Sequence, residues 1–240
     1  MNSAIGTMDY GSENRFGVAG FGQSLVPLPQ FAQVYANAPE RREVESYIQA
    51  QFHRTYGARV ANFLPLLLTL RCGARLSGVA GVALAKQHSH LFLEHYLDAP
   101  VECVLQQYLQ VPVARGSIAE IGNLVATTRG ASRLIFIVLA SVLYRAGLEW
   151  MVFTATAPLQ ASLRRLGFTI IPVQSAVLDR LPDSSTNNWG SYYANAPSVV
   201  AGRLDSAMQL IDKRALFSTL QSLYHTQIVE FAAALAGERQ

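Results

Sequence analysis

The run Leu134–Leu143, LIFIVLASVL, carries no charged residue over the length of a helix. A helix apolar on every side has no face to offer water, so it is buried on most sides or lies in a membrane. It is also shorter than the ~20 apolar residues that span a bilayer. The rest of the chain must therefore build layers around it. A chain of 240 residues, half of them hydrophobic and 15% charged, has the material for such a core.

The flanks of this run are punctuated. Arg145 near its end and Gly147 just beyond it form an ordinary helix stop. Upstream, Ile118, Ile121, Leu124 and Val125 make a short apolar run that reads as a buried strand. Downstream, Trp150–Phe153 reads as a strand, Pro158 opens a short helix that ends at Gly167, and Phe168–Val173 is a further strand. From Ser117 to Val173 the order is thus strand, glycine loop, buried helix, strand, short helix, strand.

Two polar residues, Glu120 and Asn123, interrupt the first of these strands. A carboxylate there needs a partner, a proton or water, because burying it alone is costly. The chain then turns through Thr127, Thr128, Arg129 and Gly130. Gly130 permits positive φ or a close backbone approach to a ligand, and Ser132 is placed to cap the helix. Arg129 and Arg133 sit at the helix N-terminus, where the dipole disfavours a cation by roughly 0.3–1 kcal/mol. A bound anion reverses that sign, since free backbone N–H groups and two guanidiniums suit phosphate. The bland alternative is two solvated arginines beside a turn. A strand, a loop and a buried helix around them favour a phosphate-bearing cofactor. Neither G-K-[ST] nor G-x-G-x-x-G is present, which excludes a P-loop and a dinucleotide fingerprint.

The rest of the chain reads as support. Asn37 and Glu40 have capping-box spacing, and Val44, Tyr47, Ile48, Phe52 and Tyr56 recur at helical intervals, so a helix is expected over 37–56. Its charges, Arg41 among them, read as a solvated face. Phe63–Arg71 and Leu76–Ala85 form two strands about a turn at Cys72–Arg75, with Gly78 and Gly81 marking a bulge or close approach. Glu94, His95, Tyr96 and Asp98 form a polar cluster. Pro100 opens a helix with Val101, Val104, Leu105 and Tyr108 on its apolar face. Trp189, Tyr192 and Tyr193 either close a core edge or line a pocket. Arg203–Gln240 reads as two helices that pack on the domain, pair with another subunit or lie on a membrane, the last disfavoured by the lack of a basic face. Cys72 and Cys103 lack metal spacing and read as reduced core thiols; no metal is expected. A net charge of +3 without a Lys/Arg cluster argues against nucleic acid. Residues 1–30, rich in Gly, Ser and Asn, read as loosely ordered and not as a secretory signal, so a cytoplasmic protein without a transmembrane segment is expected.

Glu120 on a strand, Arg129-Gly130-Ala131-Ser132 at the next loop, a long helix, a strand and then LRRLGF (Leu163–Phe168) resemble a GNAT-type acyltransferase core. More specifically, the stretch from about Arg41 to Gly202 resembles the thermostable hemolysin family. VESYI (Val44–Ile48), FLPLLLTLR (Phe63–Arg71), LFLEHYLDAPVE (Leu91–Glu102), EIGNLVA (Glu120–Ala126), VFTAT (Val152–Thr156) and WGSYYANAPSVVAG (Trp189–Gly202) carry that likeness. Its layout is similar to that of acyl-homoserine-lactone synthases, with Asn123 standing where those enzymes carry an arginine.

The resemblance implies an α/β fold with a central mixed, mostly antiparallel sheet flanked by helices. The GNAT-like domain would cover 31–202 and a helical appendage 203–240. It implies an acyl thioester donor, acyl-CoA or acyl-carrier protein, held by Val125, Arg129, Gly130, Ala131, Ser132 and Arg133. Glu120 would act as general base and Asn123 would orient the acceptor or a water. Glu94, Tyr96 and Asp98 would hold a small amine, with Trp189, Tyr192 and Tyr193 lining its pocket. A non-catalytic binding protein and a membrane-active hemolysin stay open as alternatives, as does an oligomer. A Glu120 facing a cleft favours the enzyme; one locked in an internal ion pair favours a scaffold.

Overall fold

The computed structural model describes residues 28–182 and 189–238. Of the stretch 1–30 expected to be loosely ordered, residues 1–27 lie outside the described residues, and Gln30 already begins a strand. Seven strands form one sheet: β1 Gln30–Tyr35, β2 Leu66–Cys72, β3 Arg75–Leu84, β4 Ile118–Ala126, β5 Trp150–Ala155, β6 Ile171–Ser175 and β7 Ser198–Arg203. Their spatial order is β1-β2-β3-β4-β5-β7-β6. Among the described strands only β4 and β5 pair in parallel; the other pairs are antiparallel. The described residues form seven α-helices: α1 Arg41–Tyr56, α2 Val101–Leu109, α3 Ala131–Arg145, α4 Ala157–Arg165, α5 Leu204–Lys213, α6 Ala215–Leu223 and α7 His225–Glu238.

The apolar run is α3, and all ten of its residues from Leu134 to Leu143 are buried. Each large aliphatic side chain so buried stabilises by about 1.5–3 kcal/mol relative to exposure. One side of α3 faces β2, β3 and β4, and the other is covered by α5, α6 and α7. Ile211, Phe217, Leu220, Ile228 and Leu235 from those helices join the α3 core. The tail is therefore packed on the sheet domain. Tyr224 Oη donates to Pro29 O at 2.9 Å and ties it to the start of β1. It holds three helices where two were expected, because the chain breaks at Arg214 and again at Tyr224. On the opposite face α1 packs Val44, Ile48 and Phe52 against Val34, Leu67, Val79 and Val125.

Several local expectations need correction. Helix α1 begins at Arg41, and Glu40 caps it without a side-chain bond, so no capping box forms. Arg41 is buried rather than solvated. Gly130 occupies the cap of α3 in the left-handed region (φ 81°), with no side-chain cap; Ser132 is already inside the helix. Strand β2 starts at Leu66 because residues 63–65 leave the sheet. Tyr108 faces solvent, while Val101 and Leu105, with Val104 and Leu109 beside them, carry the packing of α2 on the sheet. Cys72 and Cys103 are free thiols, but Cys103 is exposed and belongs to no core.

Candidate active site

The site arises where the sheet opens. The parallel ladder between β4 and β5 stops at the pair Ile121–Phe153, while β4 continues to Ala126. Beyond Ile121 the β5-facing edge of β4 has no strand partner among the described residues. At the same place β4 bulges against β3: Gly81 pairs with Gly122 and Val79 with Val125, leaving Asn123 and Leu124 opposite one residue. Asn123 adopts φ 48° to make this bulge, a conformation that asparagine tolerates better than most residues. A Cβ at Gly81 would sit 2.8 Å from Asn123 Oδ1, which explains the glycine opposite the bulge.

A cavity of about 570 Å³ lies over this opening. Its apolar depth is formed by Ile121, Leu124, Phe136, Phe153 and Leu159, and its walls by Phe52, Phe63, Leu64, Phe92, Trp189 and Tyr192. Among the described residues that line it, Glu120 is the one carboxylate. Glu120 is buried. Its two oxygens accept hydrogen bonds from Phe92 N (2.9 Å) and Leu93 N (3.0 Å), and no cation among the described residues pairs with it. Burial pushes its carboxyl up to about 7; the Leu93 and Phe92 amides oppose the rise and the charge of Glu94 adds to it. A carboxylate poised near neutral pH in an apolar cleft is suited to take a proton.

Asn123 also lines the cavity, yet its amide is engaged at both ends. Oδ1 accepts from Leu64 N at 2.8 Å and Nδ2 donates to Asn62 O at 3.0 Å. It holds the irregular segment 58–65 over the sheet. Arg41 holds the same segment from below, donating to Leu64 O (2.8 Å), Pro65 O (3.1 Å) and Val34 O (3.3 Å).

The aromatic wall is similarly fixed. Tyr192 packs edge-on against Tyr56, ring centroids 5.2 Å apart, and Trp189 lies 6.0 Å from Phe92. Tyr96, which lines the cavity, shares a 2.6 Å hydroxyl hydrogen bond with Tyr193. Gly190 seats this wall on the end of α1: it has φ 50°, and a Cβ there would land on the backbone of Tyr56 and Gly57. Gly190→Ala is expected to destabilise the fold by about 1–3 kcal/mol through strain and displacement. Denaturant unfolding monitored by Trp fluorescence measures it; an unchanged midpoint would contradict the seating.

The family model described as thermostable hemolysin matches residues 34–208. The chain belongs to the thermostable hemolysin family. No curated protein matches it in sequence. Among solved structures, FeeM, an N-acyl amino acid synthase from uncultured soil microbes, is similar with a TM-score of 0.50 at 13% identity, covering 80% of this chain and 98% of its own. TofI, in a ternary complex with an inhibitor and MTA, gives 0.52 at 14% identity, covering 78% and 99%. BjaI, a CoA-dependent acyl-homoserine lactone synthase with SAM and isopentyl-CoA, gives 0.50 at 12%, covering 77% and 89%. The chain therefore has the mixed α/β, GNAT-like fold that these synthases share. No helix of its described residues is long and apolar enough to cross a membrane.

The other residues singled out in the family segments fall outside the cavity. Glu94 is buried, and both of its oxygens are taken. Arg115 reaches them through Nη1 (2.7 Å) and Nη2 (3.1 Å), and Leu91 N and Val101 N donate at 2.6 and 2.8 Å. Burial pushes its carboxyl up, but Arg115 and the two amides outweigh that and hold it below its usual range. Asp98 is exposed and pairs with Arg180 at 2.6 Å. Neither is placed to meet an amine in this cavity. Val125 is buried against α1. Arg129 and Gly130–Arg133 stand at the N-terminus of α3, outside the cavity lining. Arg133 is half-buried; burial and the nearby charge of Arg214 both lower its pKa, and its Nε has no hydrogen-bond partner.

Sequence reasoning missed Arg41, Arg59, Phe92, Leu93, Arg115 and Phe136 as contributors. Gly57 and Pro65 bracket the segment that carries Arg59, and that punctuation is the signal that could have marked a loop. Arg115 and the Phe92–Leu93 amides leave no local trace, since their partners lie 13–30 positions away in sequence.

Proposed function

We propose that this chain is an N-acyltransferase that moves an acyl group, a fatty acyl group among the candidates, from a thioester donor to a small amine. The observation that carries the reading is Glu120: a buried carboxylate without a cation partner, at the wall of an apolar cavity where β4 and β5 separate. The fold shared with acyl-transferring synthases supports it.

In this reading the acyl chain lies along Ile121, Phe136, Phe153 and Leu159. The unpartnered β4 edge beyond Ile121 offers backbone N–H groups to the carbonyl oxygen as charge develops there. The donor, coenzyme A or carrier-protein phosphopantetheine, places its phosphates at the N-terminus of α3 beside Arg129 and Arg133. Glu120 takes the proton of the attacking amine; the C–N bond forms, the C–S bond breaks, and the thiolate leaves to be protonated from solvent. Asn123 shapes the acceptor side by holding residues 62–64. Positioning supplies much of the rate, since amine and thioester react readily once aligned.

The test is calorimetric titration of acyl-CoA and acyl-carrier protein into the wild type and into Arg129→Ala/Arg133→Ala. Binding is expected, weakened roughly 10–100-fold in the double variant, because charge-assisted hydrogen bonds to phosphate are lost. Absence of binding by either donor to the folded protein would overturn the reading.

A further inference from the structure

The charges of the cavity point to the acceptor. Among its described lining residues there is one carboxylate, Glu120, and one guanidinium, Arg59, together with the imidazoles of His88 and His90. Arg59 is exposed and makes no hydrogen bond or ion pair among the described residues. That would be unremarkable on a free loop, but the loop that bears it is pinned. Ala58 and Val60 on either side of it are buried. Val60 O accepts from Gln49 Nε2 at 3.0 Å, Asn62 O and Leu64 N are taken by Asn123, and Leu64 O and Pro65 O are taken by Arg41. Three side chains from two other elements thus fix the backbone of a segment that has no regular secondary structure, and that segment presents one unpaired cation to the cavity.

An unpaired arginine on a fixed backbone is suited to a planar anion with two oxygens, because its fork of N–H donors matches a carboxylate in two parallel bonds. Glu120 at the same cavity requires a nitrogen that gives up a proton. We infer that the acceptor is an α-amino acid or similar amino carboxylate, with its carboxylate held by Arg59 and its amine turned to Glu120. Such a zwitterion meets an opposite charge with each of its own, whereas a simple amine leaves Arg59 unused and a larger anion has no second arginine in the cavity. The inference rests on the acyltransferase reading for its chemistry, but the binding it predicts is separable.

The experiment compares L-phenylalanine with L-phenylalaninamide, which differ in the carboxylate alone, on the full chain. Both are titrated calorimetrically and assayed as acceptors with acyl-CoA, using wild type, Arg59→Ala and Arg59→Lys. Because Arg59 makes no hydrogen bond or ion pair among the described residues, its variants are expected to fold. The wild type is expected to favour the acid over the amide by roughly 10–100-fold in Kd and KM. Arg59→Ala should bring the ratio close to 1, and Arg59→Lys should retain part of it. Equal affinity of the wild type for acid and amide overturns the inference, as does an Arg59→Ala that weakens acyl-CoA while leaving the acid-to-amide ratio intact. Transfer to both acceptors with no preference would sink this inference alone. Acid-selective binding through Arg59 without any transfer would support it while counting against the acyltransferase reading.

Discussion

Glu120→Gln is expected to lower acyl transfer by about 10²–10⁴-fold in kcat/KM, the usual contribution of a positioned general base. The loss should fall on kcat, because the amide is nearly isosteric and leaves the cavity its shape. The wild-type rate should rise with pH along a limb centred near 7, the value to which burial lifts this carboxyl, and the limb should vanish in the variant. The same shift has a stability consequence of definite sign. Since the folded-state pKa lies above the ordinary carboxyl value, the folded protein binds more protons than the unfolded chain between about pH 4.5 and 7. Glu120 therefore stabilises least at high pH: its contribution is intact below about 4.5 and lost as pH rises through 7. The variant has no such group, so its stability relative to wild type should climb by about 3 kcal/mol from pH 4 to pH 8. Only the slope is diagnostic, because glutamine offers one acceptor to the two amides of Phe92 and Leu93. A flat difference between the two unfolding curves across that range would show that folding does not raise the Glu120 pKa, and would assign a rate limb near pH 7 to another group.

The parts of this molecule that were legible in the sequence are those where one local pattern decides. The run over Leu134–Leu143 announced a helix covered on both sides, and α3 is that helix. Glu120 stood out as a carboxyl inside an apolar strand, and it lines the cavity. What escaped detection depends on partners far along the chain. Arg41 has charged neighbours and looks solvated; it is buried because the carbonyls of Leu64 and Pro65 come to it from the far end of a loop. The strand expected from Phe63 begins at Leu66, because Asn123 and Arg41 claim the backbone of residues 62–65. The tail breaks at Arg214 without glycine or proline, so periodicity ran through the break. Glu94 looked available because its cluster is polar, while its partner Arg115 sits in a stretch with no motif. For Arg41, residues 63–65 and Glu94 the missed fact is a side-chain hydrogen bond to a group far along the chain, and no short window of residues contains it.

That last contact carries the other large prediction. Arg115→Ala is expected to cost about 3–5 kcal/mol, because it leaves Glu94 buried with its charge uncompensated. It also removes the Arg115 donor from the His88 carbonyl and one of the two donors to the Ala85 carbonyl. Glu94 in turn accepts from Leu91 N and Val101 N. It thereby holds both ends of the turn whose Phe92 and Leu93 amides bind Glu120. Support for the base thus runs from Arg115 through Glu94 to that turn. The arrangement makes the two partners act oppositely on the site. Glu94→Gln removes a negative charge that raises the Glu120 pKa, so the limb of the pH–rate profile should move down. Arg115→Ala leaves that charge unopposed, so in whatever fraction stays folded the limb should move up. Combining Arg115→Ala with Glu94→Gln should recover part of the lost stability, giving a coupling energy of the sign expected for a pair in contact. Urea unfolding of the four proteins of this cycle, with pH–rate profiles of the folded ones, measures both effects. Additive stability losses, or limbs shifted in the same direction by both single variants, would show that Arg115 and Glu94 do not act on Glu120 as a chain.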